Sequence, residues 1–192
     1  AGLRAVLVDW LTGCYTAPTL DEALAKRADL QAGETIYVPT GHAVGAYFEA
    51  HIEQGPVLEA YDKPIGVVSG ALGQQWYDVT VTGMDAHAGP TPMALRKDAL
   101  QVATRLMQEV VACAHRHPPH GRGTVGMVHV HPNSRNVIPG QVKFSIDLRN
   151  ASDAECEAMD ADIRAVADKI SQETGLPIKI DLVSSYPAQP FN

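Results

Sequence analysis

Hydrophobic and polar residues alternate most strictly over residues 76–82, with Tyr77, Val79 and Val81 on one face and Asp78, Thr80 and Thr82 on the other. A period of two predicts a half-buried strand. The alternation returns where Val142, Phe144, Ile146 and Leu148 are set against Gln141, Lys143, Ser145, Asp147 and Arg149. Residues 124–130, and the run Ile178, Ile180 and Leu182, read as two further strands. Leu95, Ala99, Val102, Leu106 and Val110 recur at helical spacing up to about residues 115–118. Met159, Ile163, Val166 and Ile170 do the same in a second helix, with Ser152 or Asp153 as its cap and Gly175 as its stop. The order over residues 74–184 is strand, helix, strand, strand, helix, strand. Four strands with one apolar face bury it only by packing both helices there. The expected class is therefore α+β, a ferredoxin-like sandwich of βαββαβ order with a four-stranded antiparallel sheet and both helices on one face.

The first 70 residues are less regular. A short helix is expected through Glu22, Leu24 and Leu30, capped by Thr19 or Asp21 and stopped by Gly33. Pro39-Thr40-Gly41 reads as a loop. Val44, Tyr47, Phe48, Ile52 and Leu58 predict a helix from 44 to about 58, broken near Gly55-Pro56. Ile65-Gly66-Val67-Val68 reads as a buried strand or a connector. The segment Gly83 to Pro92, rich in glycine and proline, is expected to be an irregular loop, as is His131 to Gly140.

Composition narrows the function classes. A chain of 192 residues fits one domain, or one domain plus part of another. The net charge is −7 with no basic run, which argues against nucleic acid or an anionic membrane as a partner. No apolar stretch approaches the roughly 20 residues that span a bilayer. The opening residues lack a secretory-leader pattern, so a cytoplasmic location is expected. Cys14, Cys113 and Cys156 are odd in number and lack a C-x-x-C pair, so neither a disulfide framework nor a zinc knuckle is expected.

Candidate chemistry rests on a few polar residues. His115, His117 and His120 follow a helix and read as a solvated turn. His129 and His131 form an H-x-H on a strand, which resembles the large metal-dependent amidohydrolase barrels. That barrel needs about 250 residues and eight βα units, which excludes it. His51 sits beside Gly55-Pro56, and Gln54, about one helical turn on, would face the same cleft. An imidazole at His87, on a loop constrained by Gly83, Gly89, Pro90 and Pro92, suits donation to a developing oxyanion. Asn136 lies in a loop with proline at both ends. Arg149 reads either as a surface arginine pairing with Asp147 or Asp153, or, with an asparagine and a histidine nearby, as a fork for a substrate carboxylate.

The stretch Glu49-Ala50-His51-Ile52-Glu53-Gln54-Gly55-Pro56-Val57-Leu58-Glu59 resembles the corresponding stretch of the N-carbamoyl-L-amino-acid hydrolases, allantoate amidohydrolases and microbial β-ureidopropionases. These belong to a dinuclear-metal superfamily that also holds aminoacylases and exopeptidases. The resemblance continues through Pro64-Ile65-Gly66-Val67-Val68, Gly73-Gln74-Gln75-Trp76-Tyr77, Ala86-His87-Ala88-Gly89, Thr91-Pro92-Met93 and Arg96-Lys97-Asp98-Ala99. Asn136-Val137-Ile138-Pro139-Gly140 and Asp147-Leu148-Arg149 complete it, over about residues 42–190.

The resemblance implies that His51 ligates one of two divalent ions, zinc, manganese or similar, in a full-length enzyme. It places Gln54 near the substrate. His87, Asn136 and Arg149 would sit on a lid that also forms the homodimer. Asn136 and Arg149 would grip the substrate carboxylate, His87 would help polarise the scissile carbonyl, and some contacts would cross from the partner subunit. Residues 1–70 then form a partial catalytic-domain segment, 71–185 the lid, and 186–192 the return to the catalytic domain. The family's H-x-D, Asp and Glu-Glu motifs, the last with the general base, do not occur in residues 1–50, and its late histidine is also missing. Pro90 stands where the family has Thr or Ser. The expectation is a metal-dependent hydrolase of carbamoyl or ureido C–N bonds, acting on small carboxylate substrates. This chain would carry the lid, bind no metal tightly by itself and be inactive alone. The alternatives are an aminoacylase or exopeptidase of the same superfamily, or a non-catalytic dimerisation and substrate-gripping module.

Overall fold

A computed structural model of the chain describes residues 14–16, 35–37 and 50–191. The chain divides between Ile65 and Gly66 into two units. In the first, β1 (Cys14–Thr16) pairs in parallel with β2 (Thr35–Tyr37), a pairing that hydrophobic periodicity did not announce. The helix expected around Glu22 to Leu30, the loop at Pro39 to Gly41 and the start of the helix expected from Val44 lie outside the described residues. The rest of that second helix is not there. Residues 50–56 are irregular, Gln54 adopts a left-handed backbone (φ 54°), and only one turn, α1 (Val57–Ala60), is helical. Pro56 has no N–H to give and biases Gly55 away from the helical region. Glu53 Oε1 instead accepts from the Val57 and Leu58 amides at 2.9 and 3.2 Å, capping α1 from outside.

The second unit is built on the two alternating strands. β4 (Gly73–Thr82) and β9 (Gln141–Asn150) pair antiparallel along their whole lengths, from Gly73 opposite Asn150 to Thr82 opposite Gln141. β10 (Ile178–Tyr186) flanks β4, and β6 (Arg122–Thr124) and β7 (Val128–His131) flank β9, giving the order β10-β4-β9-β6, all antiparallel. The apolar face of this sheet is Tyr77, Val79, Val81, Val142, Phe144, Ile146 and Leu148, all buried. Helices α2 (Ala99–Arg116) and α3 (Asp153–Thr174) cover that face with Ala99, Val102, Leu106 and Val110, and with Met159, Ile163, Ala167 and Ile170. The result is a mixed α/β unit with one core between an antiparallel sheet and two helices. Two short pairs complete it: β3 (Gly70–Ala71) with β11 (Gln189–Pro190), and β5 (Ala86–His87) with β8 (Val137–Ile138).

Several expectations need correction. Leu95 does not open α2. It lies in a 3₁₀ turn, 67% exposed, and the helix begins at Ala99. Asp98 caps α2 instead, its Oδ1 accepting from the Leu100 and Gln101 amides at 3.0 and 3.2 Å. We expect Asp98→Ala to cost about 1 kcal/mol of stability, measurable as a lower urea midpoint at unchanged slope. The strand expected over residues 124–130 is interrupted. Thr124 pairs with Asp147 but Val128 with Phe144, one residue more on the outer strand than on β9, so a bulge splits it into β6 and β7. Leu182, in register opposite Tyr77, is nevertheless 53% exposed, and the register shifts just beyond it, between Leu182 and Ser184. Neither Ser152 nor Asp153 caps α3 with its side chain, and Asp153 Oδ1 accepts from the Ala188 amide at 2.7 Å. Gly175 does end α3, in the left-handed region at φ 67°. Residues 65–68 form an exposed connector, with Val67 94% accessible.

Candidate functional site

Both loops expected to be irregular contain the same short ladder. His87 stands opposite Val137, and the Ala88 amide donates to the Asn136 carbonyl at 2.8 Å. His87 and Asn136 therefore occupy adjoining positions of one two-stranded piece. Its base is fixed by one backbone bond, Gly83 N–H to the Gly140 carbonyl at 2.7 Å, and one to a side chain, Gly140 N–H to Asp85 Oδ1 at 2.7 Å. A Cβ on Gly140 would fall 2.5 Å from Asp85 Oδ1 and 2.6 Å from its backbone nitrogen, so this approach requires glycine. Arg96 braces the ladder from behind, its Nη2 donating to the Ala88 carbonyl at 2.8 Å and its Nε to Thr91 at 3.1 Å. The sequence singled out neither Asp85 nor Arg96 for a role. Arg96 lies in a quoted motif, but nothing local says that its guanidinium reaches back over the loop.

The hydrogen bonds define what the two side chains offer. Gly89 N–H donates to His87 Nδ1 at 3.0 Å. A nitrogen that accepts carries a lone pair, so the neutral ring holds its proton on Nε2. Ser134 Oγ donates to Asn136 Oδ1 at 2.9 Å, which leaves the Nδ2 hydrogens as the donors for a ligand. Both residues are exposed. The ladder thus presents N–H groups, which suit a carboxylate or carbonyl oxygen.

Arg149 lies elsewhere. It stands at the far end of β9, on the face opposite the core, with Gln74 of β4 and Arg122 of β6 as its register partners. Its guanidinium forks onto Asp147, Nε to Oδ1 at 3.0 Å and Nη2 to Oδ2 at 2.7 Å, and that hydrogen bond holds its charge still more firmly. The ladder joins β9 at Gln141, so Arg149 is roughly 27 Å away at about 3.4 Å per residue. The structure brings His87 and Asn136 together and does not bring Arg149 to them.

His51 and Gln54 belong to the first unit, and both are exposed. His51 Nδ1 contacts the Ile52 carbonyl. Because residues 50–56 are not helical, the one-turn relation expected between His51 and Gln54 does not hold. Among the described residues, the group of three metal-donor side chains that comes together is Cys113, His117 and Asp162, which does not include His51. One imidazole does not make a site for two divalent ions, since catalytic zinc takes about three protein ligands. The described residues therefore do not by themselves fit a dinuclear centre.

Residues 70–175 match the family described as peptidase dimerisation domain. The chain is 42% identical over 147 residues to an N-carbamoyl-L-amino-acid amidohydrolase of Rhizobium meliloti, covering 77% of this chain and 35% of that enzyme. It is 38% identical over 138 residues to the allantoate amidohydrolase of Bacillus subtilis, covering 72% and 34%. The chain thus spans about a third of the length of the curated relatives it matches. Among solved structures, a hydantoinase/carbamoylase family amidase from Burkholderia multivorans superposes with a TM-score of 0.77 at 48% identity, over 81% of this chain and 38% of that one.

Proposed function

Since this chain belongs to the peptidase dimerisation domain family, we propose that residues 71–185 are the lid and dimerisation segment of a cytoplasmic, metal-dependent amidohydrolase. The enzyme cleaves the C–N bond of N-carbamoyl amino acids or ureido acids such as allantoate. Residues 1–70 then belong to the catalytic domain, 186–192 return to it, and the strand order β10-β4-β9-β6 under two helices is that of a ferredoxin-like lid. Relatives named for both activities support the substrate class. The observation that carries the reading is the ladder at His87 and Asn136, which offers N–H donors to an oxygen-rich ligand.

In this reading His87 is the catalytic residue of the segment. Its Nε2–H is held ready by the Gly89 bond and donates to the carbonyl oxygen as charge develops there. Asn136 and Arg149 bind the substrate carboxylate, and Gln54 lies beside it. A span of roughly 27 Å along β9 is too long for one lid to close both groups on one small substrate. His87 and Asn136 of one protomer therefore serve the site to which the partner contributes its arginine, which requires a homodimer. His51 would supply one ligand to a pair of divalent ions, zinc, manganese or similar, and such ions would contribute Lewis-acid chemistry in the full-length enzyme. The remaining ligands and the general base come from catalytic-domain motifs outside those of this chain, so the 192-residue chain alone is inactive.

A substrate panel tests this. A full-length enzyme carrying this segment should turn over N-carbamoyl-L-amino acids or allantoate and leave N-acetyl amino acids and dipeptides nearly untouched. Preference for the acetyl compounds or dipeptides would instead assign an aminoacylase or exopeptidase.

A further inference from the structure

A second cluster of chemically capable side chains lies where the end of α2 meets α3, away from the His87 ladder. Cys113 and His117 are one helical turn apart and share a face, and Asp162 approaches from α3. Donor atoms of these three residues all lie within 4.8 Å of one another. We propose that Cys113, His117 and Asp162 bind one divalent transition ion of the zinc type, clipping α2 to α3.

The donor set is a thiolate, an imidazole and a carboxylate, with water completing four-coordination on the partly exposed Asp162 side. Sulfur and nitrogen together select zinc or cobalt over magnesium or calcium. The two nitrogens of His117 have different partners. Nδ1 is closed onto Glu155 Oε2 at 2.7 Å, whereas Nε2 stands 3.3 Å from Asp162 Oδ2. A carboxylate on one ring nitrogen fixes the proton there and turns the other, with its lone pair, toward a metal. Asp162 Oδ2 is also held loosely by Arg116 Nε, at 3.4 Å. Closed charge-assisted bonds are about 2.7–2.9 Å, so Asp162 is free to turn to a cation at little loss. Arg116 opposes a cation here, but it is also shared with Glu109 at 3.3 Å, and Glu155 and Asp162 add two negative charges.

Cys113 supplies the sulfur. It is fully buried, its Sγ donates only weakly to the Met159 carbonyl at 3.8 Å, and burial pushes the thiol up to about 11. Without an ion it is a neutral core thiol. When the ion binds, a metal–sulfur bond replaces the S–H bond and one proton passes to solvent. His115 and His120, which the sequence groups with His117, take no part in this set.

Cobalt(II) added to the metal-stripped 192-residue chain tests the site. We expect one ion per chain, a thiolate-to-cobalt charge-transfer band in the near ultraviolet, and displacement by zinc. Cys113→Ser should abolish the band, and Asp162→Asn should weaken binding at least tenfold. Glu155→Gln leaves all three ligands in place and should weaken binding roughly ten- to hundredfold; being on the surface, it keeps the test valid should Cys113→Ser not fold. His51→Ala should leave the band unchanged. A chain that shows no thiolate band at saturating cobalt, or a band that survives Cys113→Ser, overturns the proposal. No catalytic readout enters, so the outcome is independent of the amidohydrolase reading.

Discussion

Replacing Arg149 with alanine in a full-length enzyme carrying this segment is expected to raise KM for carboxylate substrates steeply, with loss of about 2–5 kcal/mol of binding and a smaller change in kcat. The size follows from leaving an anion without its cation inside a closed site. In the chain itself the side chain is 41% exposed, so the full effect requires closure to remove water from the contact. Asp147 acts on this arginine in two ways. By accepting from Nε and one side of Nη2 it fixes the plane of the guanidinium, leaving Nη1 and the outer Nη2 hydrogen for a ligand. It also sets a negative charge beside an incoming carboxylate, so only a ligand that meets the free edge squarely gains. Arg149→Lys should therefore recover little of the lost affinity, since an ammonium keeps the charge and loses the fork. Steady-state KM and product inhibition by a simple carboxylate measure this directly. An unchanged KM in the alanine variant would remove Arg149 from substrate binding.

Much of the fold was readable because its two central strands alternate over most of their length, from Tyr77 to Thr82 and from Gln141 to Arg149. Buried Tyr77, Val79 and Val81 face buried Val142 to Leu148 across one ladder, and a period of two admits no other assignment. Helices α2 and α3 followed from equally regular spacing. The failures fall where a single residue changes the period. The extra residue between Thr124 and Val128 and the shift between Leu182 and Ser184 each leave hydrophobicity intact while changing the register of the residues that follow. The helix expected to run through Ile52 fails for a different reason: Gln54 takes a left-handed backbone and Pro56 has no N–H for a helical ladder.

The site divides in the same way. That His87 and Asn136 lie in constrained loops was legible from glycine and proline. That the loops join in one ladder was not, because Ala86 pairs with Ile138 and His87 with Val137 across a separation that local pattern does not encode. The sequence also set Arg149 with them, where β9 holds them apart by its length. The Cys113, His117 and Asp162 cluster was hidden because periodicity says which face of a helix is apolar and nothing about which residues of another helix it meets.

The separation along β9 makes the last prediction unusually discriminating. His87→Ala in the full-length enzyme should lower kcat roughly 10²–10³-fold with little change in KM, the loss expected when one donor to a developing oxyanion is removed. His87→Ala and Arg149→Ala enzymes should each be nearly inactive alone at substrate levels below KM. Mixed through dissociation and reassociation, they should regain activity. In a hybrid dimer the Arg149→Ala protomer lends an intact His87 to the site of the His87→Ala protomer, which keeps its own arginine, so one of the two sites is whole. If both residues served the site of their own chain, every site in the hybrid would lack one of them and mixing would restore nothing. The recovered kcat/KM per hybrid, set against about half the wild-type value per dimer, therefore decides whether the ladder and the arginine act across the dimer or within one protomer.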